Sequence, residues 1–242
     1  MTGALLKRVC AGWLAMAMAI ALPAVADEVD PDPWEPANRK VFAVNDALDR
    51  WLLKPVAEGY QKIVPKPIRR SVSNVFNNIE TPATAINQFL QGKPVRGISD
   101  SGRFLVNSTI GLGGLFDVAT PMGFAKHQED FGQTLGRWGA GAGPHVMIPF
   151  RGSSTVRDAF GLMLDATVNP IGFLSPDSHR YGAAALYVID ARVDLLAAEN
   201  LLTESGDKYL FLRDAYLQRR AYLVSDGEAA EEDPFLDDDE DW

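Results

Sequence analysis

The sequence predicts an all-α domain, and three observations carry that prediction. Apolar residues recur at three-to-four spacing in one segment after another, as they do on helices with a single apolar face. Proline and glycine cut the chain into pieces of helical length. No run alternates between apolar and polar residues for long enough to build a sheet.

The elements follow in order. Pro31, Pro33 and Pro36 make an extended lead-in. Val41, Val44, Leu48, Trp51 and Leu52 then form one helix face, with Arg39, Lys40, Asp46, Asp49 and Arg50 opposite, and the helix is expected to stop near Pro55. Pro65 and Pro67 break the chain before the stripe Ile68, Val72, Val75, Phe76 and Ile79. Thr81-Pro82 has the form of a fresh start, a capping hydroxyl followed by proline at the first helical position. Ala83, Ile86, Phe89 and Leu90 continue from it to a stop at Gly92. Ile98, Leu105, Val106 and Ile110 mark a helix from Val95 to the glycines at 111, 113 and 114. Ser154-Thr155 opens another, carrying Val156, Phe160, Met163, Leu164 and Thr167 on one side and closed by Asn169-Pro170. Two longer helices, about Tyr181 to Leu202 and Lys208 to Val224, flank the turn Ser205-Gly206-Asp207.

Between Phe131 and Arg151 stand Gly132, Gly136, Gly139, Gly141 and Gly143, with Pro144 and Pro149. That density excludes continuous helix and permits close backbone approach or positive φ. The stretch is nevertheless apolar, through Phe131, Leu135, Trp138, Val146, Met147, Ile148 and Phe150. Water is a poor solvent for such a loop, so it is either tucked into the core or set against lipid or a partner.

Of the 242 residues, the first 26 read as a cleavable secretory signal peptide: Lys7 and Arg8, an apolar run from Ala11 to Leu22, then Ala24-Val25-Ala26 before Asp27. The run is shorter than the roughly 20 residues a spanning helix needs. Residues 27–225 suit one domain, and 226–242 form an acidic tail expected to be disordered. The sole cysteine, Cys10, precedes the apolar run. The mature chain is therefore expected to lack a disulfide, a thiol catalyst, a cysteine metal site and a lipobox cysteine. The net charge of −9 is concentrated in the tail, which holds ten acids from Asp226 to Asp241 and no base. Such a tail is a solvated end or a docking arm for a basic partner, with Phe235-Leu236 and Trp242 as anchors. The body, nearly neutral, offers no field for nucleic acid.

Catalytic signatures are absent. Gly97-Ile98-Ser99-Asp100-Ser101 misses the last glycine of a nucleophile elbow, and there is no Walker loop, H-E-x-x-H or G-x-G-x-x-G. His127, His145 and His179 lack ligand spacing, so neither metal nor cofactor is expected. His127-Gln-Glu129-Asp130 is either a group that holds a metal or acts as acid and base, or the polar start of a helix. Asn107-Ser108-Thr109 matches a glycosylation sequon but lies in an apolar helical stripe and reads as packing. From Arg39 to Arg70, eight bases face Asp46, Asp49 and Glu58. That face is either solvated or laid on anionic headgroups, as amphipathic helices at membrane interfaces are.

Several blocks carry a resemblance. Asp32-Pro33-Trp34-Glu35-Pro36-Ala37-Asn38-Arg39, Glu80-Thr-Pro82-Ala, Asn87-Gln-Phe89-Leu90-Gln91-Gly92 and the run from Arg103 to Ala119 resemble the MlaA (VacJ) family of outer-membrane phospholipid-transport proteins. So do Phe131-Gly132-Gln-Thr-Leu135-Gly136 through Pro149-Phe150, Arg157-Asp158 and Leu212 to Arg220. The likeness spans about Asp32 to Val224. It implies a ring of helices in the inner leaflet of the outer membrane around an amphipathic channel. Such a protein takes phospholipid from the outer leaflet, often beside a trimeric porin, and passes it to a soluble periplasmic lipid carrier without bond chemistry or cofactor. By position in the matched blocks, Phe104, Leu105, Leu112, Leu115 and Phe116 are assigned to the lipid path. Gly132, Gly136, Trp138, Gly139, Gly141 and Gly143 are assigned to a gating loop, and Arg103, Arg137 and Arg157 to headgroup contact. The chain departs from the family in lacking its lipobox cysteine and in its long acidic tail. The competing readings are an envelope phospholipase using His127 and a porin-binding adaptor that carries no lipid.

Overall fold

The computed structural model describes residues 30–196, 199 and 206–227. The signal peptide, the tail beyond Gly227 and the last residues of the helix expected to reach Leu202 lie outside the described residues.

Helix α1 (Glu35–Leu48) runs into a π-helical turn at Asp49–Leu53 and on into α2 (Lys54–Ile63). The expected stop near Pro55 is not there. Pro55 falls in the first turn of α2, and the wide turn before it, closed by the Lys54 N–H on the Asp49 carbonyl, absorbs the interruption. Helix α3 (Lys66–Leu90) also runs unbroken through Thr81-Pro82, which is no helix start. The Thr81 hydroxyl donates to the Asn77 carbonyl one turn back at 2.8 Å instead of capping. An interior proline costs a helix about 3 kcal/mol. The inward stripe of Phe76, Asn78, Thr81, Thr84, Ala85 and Gln88, all buried, holds both halves of α3 against their neighbours and offsets that cost.

Helix α4 (Pro94–Thr109) ends at the glycine cluster as expected. The glycine-rich segment is more ordered than its composition suggests. It holds a short helix α5 (Phe131–Arg137), capped by the Asp130 carboxylate on the Gln133 N–H. It then enters an antiparallel hairpin of β1 (His145–Ile148) and β2 (Gly152–Thr155). The fold is mostly α, but the expectation of no sheet is corrected by this one hairpin. Two asparagines of α1 stand in for a third strand. Asn38 donates to the His145 carbonyl at 3.0 Å and accepts the Met147 N–H at 2.9 Å. Asn45, two turns on, repeats the pattern with the Ile148 carbonyl and the Phe150 N–H at 3.0 and 2.8 Å. Edge groups that would otherwise invite another strand are thereby satisfied.

Thr155 caps α6 (Val156–Val168), a short 3₁₀ turn follows at Pro170–Phe173, and α7 (Asp177–Leu196) and α8 (Lys208–Val224) complete the fold. Contacts close a circuit: α1 and α2 pack on β1 and α7, α7 on α3, α3 on α5, α5 on α8, and α8 on β2. The N-terminal lead-in is locked into that circuit. Asp32, almost fully buried, accepts hydrogen bonds from Asn38 and the Tyr209 hydroxyl, with fully buried His145 beside them.

Polarity is inverted. Among the described residues seventeen polar or charged side chains are buried, against seven apolar ones, while thirty large apolar side chains are exposed. Trp51 is 84 % exposed and Val95 80 %. Ordinary soluble domains place these classes the other way round.

Candidate functional site

The largest concentration of inward polar groups surrounds a cavity of about 60 Å³ between α3, α4 and the loop that follows α4. Helix α3 contributes Asn74, Asn77, Asn78, Glu80, Thr81 and Thr84, residues that recur on one face at three-to-four spacing. Helix α4 contributes Asp100, Arg103 and Asn107, and the loop contributes Asp117, Lys126, His127 and Gln128. The opposite faces of these helices are apolar and exposed: Ile86, Phe89 and Leu90 on α3, and Val95, Ile98 and Leu105 on α4. Helices of this kind separate a polar interior from a greasy exterior.

Hydrogen bonds fix the lining. Arg103 donates to Asp117 at 2.8 Å, to the Thr120 hydroxyl at 2.8 Å and to the Phe124 carbonyl at 3.0 Å. Asn107 ties the same loop down, accepting the Val118 and Ala119 N–H groups at 2.9 Å each. The sequon asparagine is thus a packing residue. Burial pushes the Asp117 carboxyl up, but hydrogen bonds from Thr120, Arg103 and Asn107 outweigh it and hold the group at about 2. His127 Nδ1 donates to Asp100 Oδ1 at 2.9 Å, and Lys126 donates to Asn77 Oδ1 at 2.8 Å.

The residues singled out in the sequence scatter around this cavity. Arg103 lines it, yet its guanidinium is buried and engaged by the loop rather than open to a ligand. Arg157 is likewise turned onto Asp158 at 3.0 Å. Arg137 is the most exposed of the three and stands 3.9 Å from Asp226. It lines a second, shallower cavity of about 300 Å³ with Lys93, Val95 and Arg96 around Asp226. Asp226, the first acid of the tail, is held by Lys93 and by Arg96 at 3.1 Å.

Of the residues assigned to the lipid path, Leu105, Leu112, Leu115 and Phe116 are exposed, Phe104 is half-buried, and none lines the polar cavity. Leu105, Leu112, Leu115 and Phe116 are part of the protein's exposed apolar surface. The glycines assigned to gating divide in two. Gly132 and Gly136 are packing positions in α5, where an added Cβ would meet Asp158, Arg220, Arg157 or Val224 at 2.6–2.9 Å. Gly139 and Gly143 make turns at φ 92° and 67°, and the space around Gly141 is open. Trp138 is exposed, its indole N–H donating to the Leu90 carbonyl at 2.9 Å.

The acid–base grouping of His127 with Glu129 or Asp130 is not assembled. His127 is bound to Asp100, Glu129 accepts from Gln91 at 2.9 Å, and Asp130 is forked by Arg220 at 2.6 and 2.9 Å. The buried polar stripe of α3 and α4 went unread in the sequence. Its signal was present, since Asn74, Asn78, Thr81 and Gln88, and Asp100, Arg103 and Asn107, carry the same period as the apolar faces.

The family described as MlaA lipoprotein matches residues 30–223. The chain is 40% identical over 202 residues to the intermembrane phospholipid transport system lipoprotein MlaA of Shigella flexneri, covering 81% of this chain and 80% of that protein. It is 39% identical to the namesake of Escherichia coli (strain K12) over the same shares, and 32% identical to that of Haemophilus influenzae across 93% of this chain and 94% of the relative. A solved structure described as "Structural basis for maintenance of bacterial outer membrane lipid asymmetry" superposes with a TM-score of 0.73 at 38% identity, covering 81% of this chain and all of that one.

Proposed function

The chain belongs to the MlaA lipoprotein family, and from that membership we propose that it acts in intermembrane phospholipid transport at the outer membrane. It takes phospholipids misplaced in the outer leaflet and hands them to a soluble periplasmic carrier, preserving lipid asymmetry, and it does so beside a trimeric porin. The observation that carries this reading is the inverted polarity. Large apolar side chains on α1, α2, α3 and α4 are exposed, while on α3 and α4 amides, hydroxyls and charges are buried. Each Å² of apolar surface moved from water into hydrocarbon stabilises by about 25 cal/mol, so a lipid surround favours this outside.

No described helix is long and apolar enough to cross a membrane. The short amphipathic helices suit insertion into one leaflet instead. In this arrangement Phe104, Leu105, Leu112, Leu115 and Phe116 offer an apolar track to acyl chains. Arg137, half-exposed and 3.9 Å from Asp226, is the cationic group assigned to a headgroup phosphate. Gly139, Gly141 and Gly143 supply the freedom to move that a gate needs, whereas Gly132 and Gly136 supply close packing.

The test is to purify the full chain in mild detergent, extract the lipid it retains, and follow transfer of labelled phospholipid from vesicles with and without the periplasmic carrier. Retained intact phospholipid that moves on when the carrier is added is the expected result. Retention of none, with a porin still bound, would leave an adaptor. Release of lysolipid or fatty acid would make it a phospholipase.

A further inference from the structure

We propose that the polar cavity between α3 and α4 binds the primary ammonium of an ethanolamine lipid headgroup, with Asp100 as its anchor. The proposal rests on the transport reading above and adds a headgroup class to it.

Asp100 is 1 % exposed and lines the cavity. One of its oxygens, Oδ1, takes the His127 N–H; the other, Oδ2, is buried with no hydrogen-bond partner in the chain. A buried acceptor left unpaired is destabilising, and more so when it is charged. Across the cavity on α3, Asn78 is 5 % exposed and its Oδ1 is also unpartnered, while its amide nitrogen donates to Ser108 at 2.9 Å. The carboxylate oxygen of Asp100 therefore calls for a donor, and for a cationic one.

Charge points the same way. Glu80, Asp100 and Asp117 face Arg103 and Lys126 across the lining. Arg103 is matched by Asp117 at 2.8 Å, and exposed Lys126 holds Asn77, which leaves Asp100 without a cation in contact apart from the imidazole of His127. A metal ion is a poor occupant, because no three His, Asp or Glu side chains converge as ligands among the described residues. An anion would meet two bare acceptors.

A primary ammonium brings a positive charge and three N–H donors in a compact group, which matches the unpaired Oδ2 of Asp100. The trimethylammonium of a choline headgroup has no N–H, and a glycerol headgroup has no positive charge. Lys126, exposed at the edge of the lining, is placed to meet the adjoining phosphate. The alternative filling is ordered water, for which the cavity has room.

The experiment offers the full chain vesicles containing phosphatidylethanolamine, phosphatidylcholine and phosphatidylglycerol in equal amounts with matched acyl chains, and quantifies the bound lipids by mass spectrometry. Phosphatidylethanolamine is expected to be enriched about tenfold, the discrimination that a charge-assisted hydrogen bond supports at roughly 1.4 kcal/mol per decade. Asp100→Asn should bring its ratio to the others close to one. Recovery of the three lipids in the vesicle ratio by the unmodified chain overturns the proposal, as does enrichment that survives in folded Asp100→Asn. The unmodified chain's ranking decides the matter even where the variant does not fold. Free ethanolamine carries the same ammonium and should compete only at concentrations far above the lipid's; if it saturates the site at a lower concentration than the lipid does, the site belongs to a soluble amine and the lipid assignment falls. A chain that retains no lipid of any kind sinks the transport reading itself, whereas equal retention of all three sinks only the headgroup assignment.

Discussion

The Arg220 guanidinium grips the Asp158 carboxylate from two sides, Nε on Oδ2 and Nη2 on Oδ1, both at 2.9 Å. The same guanidinium reaches Asp130 at 2.6 and 2.9 Å, and Tyr216 donates to Asp158 at 2.7 Å. One arginine of α8 thereby joins the cap of α5 to the first turn of α6, in the part of the circuit nearest the glycine-rich segment. Removing it takes the cation from Asp130 and leaves Asp158 with Arg157 alone. Breaking a buried pair from one side costs about 3–5 kcal/mol, so Arg220→Ala is expected to unfold the α5–α6–α8 corner. Arg220→Lys should not restore it, since a single ammonium cannot fork two carboxylates. Hydrogen exchange of the α5 amides in the two variants measures this.

Asp165 behaves in the opposite sense to its neighbours. Burial raises its carboxyl to about 6, with the Phe131 N–H pulling down and Asp130 pushing further up. The folded chain then holds this proton more tightly than the unfolded chain does. Stability falls as pH rises from 3.8 to about 6, and the whole penalty is present above that window. Asp165→Asn keeps an acceptor for Phe131 and removes the charge. It should stabilise the protein at neutral pH by about 1–3 kcal/mol, at roughly 1.4 kcal/mol per pKa unit, and the gain should vanish near pH 4. Asp130 and Asp158, held below the ordinary range by Arg220 despite burial, contribute stability that is lost as pH falls below that range. Denaturation midpoints measured across pH separate the two signs.

Gly161 and Gly132 set how closely α6 can approach α5. A Cβ at Gly161 would stand 2.3 Å from the Gly132 nitrogen and 2.6 Å from its Cα, and backbone atoms cannot step aside. Gly161→Ala should cost about 3 kcal/mol or more, at or beyond the usual range for overpacking. Gly141→Ala meets open space at an ordinary φ and should change stability by less than about 0.5 kcal/mol. Its effect on lipid transfer then tests the gate without a stability penalty in the way.

The helices were legible because their apolar faces repeat at the helical period, and the caps at Thr155 and Asp207 carry local signals that nothing overrides. Thr81-Pro82 carried the same kind of local signal and misled. Its meaning depends on Phe76, Asn78 and Gln88 packing inward on both sides of it, which only the folded chain supplies. The hairpin was hidden for a related reason. His145 and Met147 are the buried positions of β1, so burial alternates where hydrophobicity does not, and the pairing groups come from Asn38 and Asn45 more than a hundred residues away. In the polar cavity, Arg103 was found by its position in a matched block, but Asp100, Asn78 and His127 could be joined only through tertiary distance.

Leu112 supplies a test in which stability and function should part company. Its φ of 54° puts a leucine in the left-handed region, followed by Gly113 and Gly114 at 74° and 93°. That conformation costs a side chain with a Cβ about 1–2 kcal/mol, part of which glycine gives back through its freer unfolded chain. Leu112→Gly should therefore fold at least as stably as the parent, by up to about 1 kcal/mol. The leucine is 64 % exposed, so little packing is lost within the chain. What the substitution does remove is an apolar group from the outer surface beside Leu115 and Phe116. If acyl chains run along that surface, transfer from vesicles to the carrier should slow several-fold while the melting temperature holds or rises. Asparagine at Leu115 or Phe116, both exposed, should slow it in the same way. Unchanged transfer in all three stably folded variants would remove these residues from the lipid path and turn attention to the polar cavity and the Arg137 face.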